Sequence, residues 1–229
     1  PVAAVMQATK TGMLFVLERE TGRPVFPVEE RLVPASDIPG EQVARTQVFT
    51  SLTPPLSPHR FALDQVWGIT AADRDACRAA IAPLRNEGIF TPPSTRGTLL
   101  IPARIGGANW GRVAVDPVRQ LAVIAVNRIA EMVQLIPRQG FDLQRARSEE
   151  KTRLGDDFEY NLMQGTPYVM RRRLLLAPSR LPCTPPPFGA LVAIDLVTGL
   201  RKWEVPLGTM TSVLSPALAQ QTKPDWGSV

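Results

Sequence analysis

Cysteine, histidine, tyrosine and lysine are all scarce in this chain of 229 residues, which holds two cysteines, one histidine, two tyrosines and four lysines. The cysteines, Cys77 and Cys183, are too few and too far apart for a zinc site; one disulfide and two separate buried thiols both stay open. The one histidine, His59, stands among prolines with no Ser or Cys nucleophile motif beside it, so it reads as a loop residue rather than a proton-transfer group. There is no run of 18 or more apolar residues and no signal peptide at the start, so no segment reads as a membrane span. Positive charge is carried almost entirely by arginine, densest at Arg171-Arg172-Arg173, and the net charge is +5. The basic residues are scattered among acids without interleaved aromatics, which argues against a nucleic-acid partner and suits a rim facing acidic lipids or a docking protein.

What is abundant is turn chemistry: 23 prolines and 16 glycines. The most regular stretch runs from Gly189 to Trp203. Apolar residues Leu191, Ala193 and Leu196 surround Asp195, the pattern breaks at Thr198-Gly199, and an apolar segment opened by Trp203 follows. This reads as strand, tight turn, strand, with Asp195 accepting backbone hydrogen bonds and Gly199 taking the positive φ of the turn. Trp203 offers a flat face to a neighbouring layer.

The same unit recurs at Leu14–Phe26 and Val113–Val126. In each, an apolar strand meets an acid (Glu18, Asp116, Asp195), and four residues later comes a turn residue (Gly22, Gln120, Gly199). The acids are 98 and 79 residues apart, more than the roughly 40 to 45 residues of a simple four-stranded blade, so insertions or additional strands separate them. Residues 27–60, rich in Pro27, Pro34, Pro39-Gly40, Pro54-Pro55 and Pro58, predict an ordered surface loop. Within the next insertion, 70–87, Thr70 or Asp73 caps a helix carrying Ala76, Ala79, Ala80 and Leu84, ended by Asn86 to Gly88. Gly97–Pro102 reads as a short strand, and the charged stretch 138–160 as a solvated loop or short helix on the rim.

Two segments carry candidate chemistry. Thr9-Lys10-Thr11-Gly12 lies at a strand-to-strand turn, where Lys10 is a compact, aimable ammonium in a chain that otherwise uses arginine. In Ile105-Gly106-Gly107-Ala108-Asn109-Trp110-Gly111 the glycines permit close backbone approach, Asn109 presents a donor and an acceptor, and Trp110 presents a stacking face.

These motifs, in this order, resemble the quinoprotein dehydrogenases that carry pyrroloquinoline quinone (PQQ), specifically their membrane-bound glucose, quinate and polyol branch. Ala193-x-Asp195-x-x-Thr198-Gly199-x-x-x-Trp203 looks like the tryptophan-docking motif of those eight-bladed propellers. Thr9-Lys10-x-Gly12 and Gly106-Gly107-x-Asn109-Trp110 match in sequence order, as do Asp64–Gly68 with Cys77-Arg78, Phe90–Ser94, Gly165–Tyr168 and Cys183–Gly189. The resemblance implies an all-β fold, about half of an eight-bladed β-propeller over residues 1–229, with one short helical insertion. It implies a fragment of a dehydrogenase oxidising a sugar or polyol by hydride transfer to PQQ, with electrons passed to membrane ubiquinone. Lys10 and Asn109 are then expected to hydrogen-bond the ortho-quinone oxygens, with Lys10 catalytic and Trp110 beside the cofactor. The family's general base and its Ca²⁺ or Mg²⁺ ligands lie upstream of the region matched by Lys10, hence outside this chain. A periplasmic parent anchored to the inner membrane is implied too, and that compartment favours a Cys77–Cys183 bridge.

Two rivals carry no cofactor. One is a non-catalytic propeller scaffold of the outer-membrane assembly type, which has no reason to bring a lysine and an asparagine to one axial point. The other is a sugar-binding propeller, for which Trp67, Trp110 and Tyr168 are the candidate stacking aromatics.

Overall fold

The three acid-centred turns fold alike. A computed structural model describes residues 2–109, 113–151, 158–210, 216–220 and 226–228. In it Gly22, Gln120 and Gly199 all take left-handed backbone, with φ of +72°, +55° and +74°. The Asp116 carboxylate accepts from the Val118 and Arg119 amides at 3.0 and 2.9 Å, and Asp195 accepts from Val197 and Thr198 at 2.9 and 3.0 Å. At Glu18 the turn is closed instead by the Thr21 hydroxyl, 2.6 Å from the carboxylate. Backbone donors hold both aspartates below the ordinary carboxylate range, the Arg119 amide leading for Asp116 and the Thr198 amide for Asp195.

The strands follow in order. β1 (Ala4–Ala8) and β2 (Leu14–Glu18) form one antiparallel hairpin, and β3 (Val28–Leu32) and β4 (Thr46–Thr50) form another. The second corrects the reading of 27–60 as loop: Glu29, Glu30 and Arg31 hide a strand that is exposed along most of its length. α1 (Ala71–Ile81) follows, capped by Thr70, whose hydroxyl accepts from the Asp73 amide at 3.0 Å while Asp73 accepts from the Thr70 amide at 3.3 Å. Then come β5 (Thr98–Leu100), β6 (Val113–Asp116), β7 (Leu121–Asn127), β8 (Glu131–Pro137), α2 (Leu143–Lys151), β9 (Glu159–Asn161), β10 (Tyr168–Leu174), β11 (Gly189–Asp195), β12 (Arg201–Pro206) and α3 (Pro216–Ala219).

Two four-stranded antiparallel sheets result, ordered β12-β11-β7-β6 and β5-β8-β10-β9. The second and third acid-centred units therefore share one sheet, with Ala193 facing Val123 and Asp195 facing Leu121 across β7 and β11. Sequence spacing had placed them in separate repeats; the intervening residues instead supply three strands of the other sheet. The central strands β7 and β11 are apolar nearly throughout because both of their faces are covered, whereas the edge strand β12 is largely exposed, Trp203 included.

One core packs β2, Phe26 and Leu56 against Ile124, Val126, Val192 and Ile194. A second gathers Cys77 and Ile81 of α1 with Leu99, Met132, Leu175 and Cys183. Cys77 and Cys183 are joined by a disulfide across a sequence separation of 106. A third core is aromatic: Trp67 packs edge-on against Phe188 and Trp226 at 5.5 and 5.1 Å. Arg128 grips the Glu204 carboxylate of β12 with two bonds of 2.6 Å and reaches the Leu56 carbonyl at 3.3 Å, tying this outer strand to the segment beneath it.

Candidate functional site

The Lys10 turn is built by its own hydroxyls. Thr9 Oγ1 donates to the Met13 carbonyl at 3.0 Å and accepts from the Met13 amide at 3.2 Å, and the Gly12 amide donates to the Thr9 carbonyl at 2.8 Å. Gly12, at φ +74°, lies so close to Ser57 that a Cβ there would come within 2.9 Å of the serine Cβ. His59 braces the turn from outside: its Nε2 lies 2.7 Å from the Thr11 carbonyl and, facing an acceptor, carries the proton. Partial burial, the leading cause, holds this imidazole below its ordinary pKa. The histidine read from sequence as a bystander in a loop is thus a strut of the candidate site.

The glycine-rich segment docks onto this turn through its backbone. The Gly107 amide donates to the Lys10 carbonyl at 2.8 Å and the Ala108 amide to the Thr9 carbonyl at 3.3 Å, while the Asn127 amide donates to the Gly107 carbonyl at 2.7 Å. Contact is close enough to exclude any side chain: a Cβ on Gly107 would lie 2.7 Å from Ser57 Oγ and 2.9 Å from Gly12 Cα. Overpacking of this kind costs about 1–3 kcal/mol. Gly107→Ala is therefore expected to lower the unfolding free energy by that amount in chemical denaturation, with a wild-type midpoint counting against the docking described here.

That docking brings Lys10 and Asn109 to one cleft of about 600 Å³, lined also by Gln7, Thr9, Ala108 and Val113. Its volume lies within the roughly 300–1,000 Å³ usual for small-molecule sites. Both side chains are exposed to it. Trp110 lies outside the described residues. Trp67 is consumed in the aromatic core and Tyr168 borders a separate hollow beside Pro137 and Pro167, so the sugar-binding reading loses two of its three stacking candidates.

Behind the cleft stands a charge network. Lys10 Nζ donates to the Arg104 carbonyl at 3.0 Å. The Arg104 amide donates to Glu131 Oε2 at 2.9 Å, and its Nη1 lies 3.0 Å from Glu131 Oε1, a charge contact without hydrogen-bond alignment. Glu159 pairs with Arg104 and, at 3.0 Å, with Arg172, whose Nε lies 3.9 Å from Glu131. Glu131 is fully buried. Sequence reasoning passed over it, because in Ala130-Glu131-Met132 nothing local marks the acid as an inward residue.

Chemically the cleft presents an ammonium and the carboxamides of Gln7 and Asn109, a donor-bearing edge suited to carbonyl or quinone oxygens. Among the described residues no group of three or more His, Cys, Asp or Glu is placed to hold a metal ion, and no helix there is long and apolar enough to cross a membrane.

A family model described as "PQQ: Glucose/ethanol/alcohol dehydrogenase, beta-propeller domain" matches residues 1–229. The chain is similar to the "Probable quinate dehydrogenase (quinone)" of Xanthomonas campestris pv. juglandis, at 37% identity over 207 residues, 90% of this chain and 26% of that protein. It is 34% identical over 209 residues to the quinoprotein glucose dehydrogenase of Escherichia coli (strain K12), covering 91% of this chain and 26% of the relative. The glycerol dehydrogenase large subunit of Gluconobacter oxydans (strain 621H) is 33% identical over 221 residues, 91% of this chain and 29% of its own. The chain thus spans about a quarter of the length of the curated relatives it matches.

Proposed function

The chain belongs to the β-propeller family of PQQ-dependent glucose, ethanol and alcohol dehydrogenases, and on that premise we propose that it is a segment of a larger dehydrogenase in which Lys10 and Asn109 hold the oxygens of PQQ. One observation carries the reading: two polar side chains 99 positions apart share one donor-rich cleft of cofactor-compatible size. A non-catalytic scaffold gives no reason for that convergence.

Bound PQQ supplies the hydride acceptor for oxidation of an alcohol or hemiacetal carbon. The chain's own contribution is electrostatic. The Lys10 ammonium, steadied by the Arg104 carbonyl, has two further protons to offer an oxygen bound in the cleft, and the Asn109 amide adds a neutral donor. Preorganised donors of this kind stabilise negative charge developing on oxygen without reorganising as the reaction proceeds. The glycine segment keeps both groups in register by docking directly on the Lys10 turn. Trp110, in the same sequence motif, is assigned to cofactor binding through the resemblance of that motif and the flat apolar surface of its indole.

The substrate is a sugar or polyol, in keeping with relatives named for glucose, quinate and glycerol. Electrons pass to a membrane quinone, a reading supported by the word "quinone" in the name of the quinate relative. The general base and the ligands of a Ca²⁺ or Mg²⁺ ion come from sequence outside these 229 residues. The intact protein is periplasmic and anchored at the inner membrane, a compartment in which the Cys77–Cys183 disulfide persists. The test is dye reduction by the full-length protein with PQQ and Ca²⁺ or Mg²⁺, assayed with glucose, glycerol and quinate. Turnover that requires PQQ and at least one of the three is expected; PQQ-independent turnover, or none with any of them, overturns the proposal.

A further inference from the structure

We infer that Glu131 is a positioning residue for Lys10, acting through the main chain of Arg104; the inference rests on the reading that Lys10 faces the cofactor. Arg104 is held at both of its backbone polar groups. Its amide donates to Glu131 Oε2 at 2.9 Å, and its carbonyl accepts the Lys10 ammonium at 3.0 Å. The orientation of the carbonyl that steadies Lys10 is therefore set from the other side by the buried carboxylate.

Glu131 sits at the start of β8 beside Met132 and Val133, in a fully buried place where an apolar side chain avoids the cost of desolvating a charge. Arg104 and Arg172 offset that cost, and Glu159 shares both guanidiniums. Such an arrangement is more than a strand needs for packing. What it adds is a fixed acceptor for Arg104 at the head of a glycine-containing segment with little side-chain bulk to fix itself. Ala103 is clamped by the same stretch of chain, its amide donating to the Ile129 carbonyl at 2.9 Å. The far end of the segment carries Asn109, so the clamp governs both groups that meet in the cleft.

Two substitutions separate the acceptor from its charge. Glu131→Gln keeps an acceptor oxygen at the same reach and removes the charge, whereas Glu131→Asp keeps the charge and withdraws the oxygen by one methylene. The full-length protein, free of PQQ, is treated with acetic anhydride, and acetylation of Lys10 is followed by mass spectrometry against Lys202, an internal reference paired with Asp195 on the rim. Tethering to the Arg104 carbonyl restrains the Lys10 nitrogen, so its labelling speeds up when that contact is lost. Loss of about one hydrogen bond predicts roughly three- to tenfold faster Lys10 labelling in Glu131→Asp, with Glu131→Gln within about twofold of wild type. Equal Lys10 rates in all three proteins, or a larger effect from Gln than from Asp, overturn the inference. Thermal midpoints measured alongside identify a merely structural role, which lowers stability and raises labelling of both lysines together, and that result also overturns it. A separate arm tests the underlying reading: added PQQ protects Lys10 from acetylation in wild type if Lys10 faces the cofactor. Absent protection removes that reading while leaving the Asp and Gln comparison intact.

Discussion

Lys10→Ala is expected to lower PQQ-dependent turnover of the full-length protein by at least about 100-fold, the loss typical when one preorganised donor to a developing oxyanion is removed. The substitution takes away the only lysine lining the cleft among the described residues and leaves the Arg104 carbonyl without its cation. It does little to the fold, because the side chain is exposed and the turn is held by Thr9, Gly12 and the Gly107 amide, none of which depends on the ammonium. The kcat is therefore expected to fall with an unchanged thermal midpoint. Lys10→Arg does not rescue it, since a planar guanidinium needs more room than a point-like ammonium and aims its protons differently. Lys202→Ala, which loses an exposed contact to Asp195 at 3.4 Å, keeps near-normal turnover. Near-normal turnover in Lys10→Ala, measured by dye reduction at saturating PQQ, overturns the role assigned to Lys10.

Removing the disulfide is expected to cost about 2–5 kcal/mol of unfolding free energy, in line with losses from native bridges. Cys77 and Cys183 close a loop with a sequence separation of 106, and a loop near 100 residues corresponds to roughly 4.7 kcal/mol in the chain-entropy account. Both sulfurs are buried in the core formed by α1, Leu99, Met132 and Leu175, so their replacement also leaves a defect in packing. Two polar contacts hold the same insertion and soften the loss. The Ser179 amide donates to Asp73 Oδ1 at 3.2 Å, and the Trp67 amide to the Cys183 carbonyl at 2.9 Å. Denaturation of the Cys77→Ala, Cys183→Ala double variant measures the cost, and dithiothreitol applied to the wild type is expected to reproduce most of it. Coincident transitions with and without reductant count against the bridge.

The features legible in the sequence are those whose signals are local. An acid followed four residues later by a turn residue fixes its own hairpin, and the signal held even at Gln120, where no glycine marks the left-handed position. The Thr70 and Asp73 pair announces the start of α1 because a capping box is satisfied within one turn. Lys10 and Asn109 were found through the order of their motifs, and the cleft they share follows from backbone docking that glycines permit.

What escaped the reading depends on pairing across long stretches of chain. Nothing in Val113–Val126 or Gly189–Trp203 says that the two join each other rather than a neighbour of their own, since period-two alternation specifies a face but not a partner. Glu131 looks like an ordinary polar residue until Arg104 and Arg172, 27 and 41 positions away, converge on it. The hairpin of β3 and β4 was obscured by charge and flanking prolines. His59 gains its part from Thr11, 48 residues earlier, and Trp67 is taken into a core by Phe188 and Trp226.

The sheet β12-β11-β7-β6 has a consequence for biosynthesis. β7 ends at Asn127 and its central partner β11 begins at Gly189, so at about 5–20 residues per second the ribosome takes roughly 3–12 s to deliver the missing neighbour. During that interval the flank of β7 is an open hydrogen-bonding template on an apolar strand, the kind of edge that recruits other nascent chains. Yield of the native protein is thus governed by how well that flank is shielded before translation reaches β11, and slower elongation through residues 128–188 lengthens the hazard.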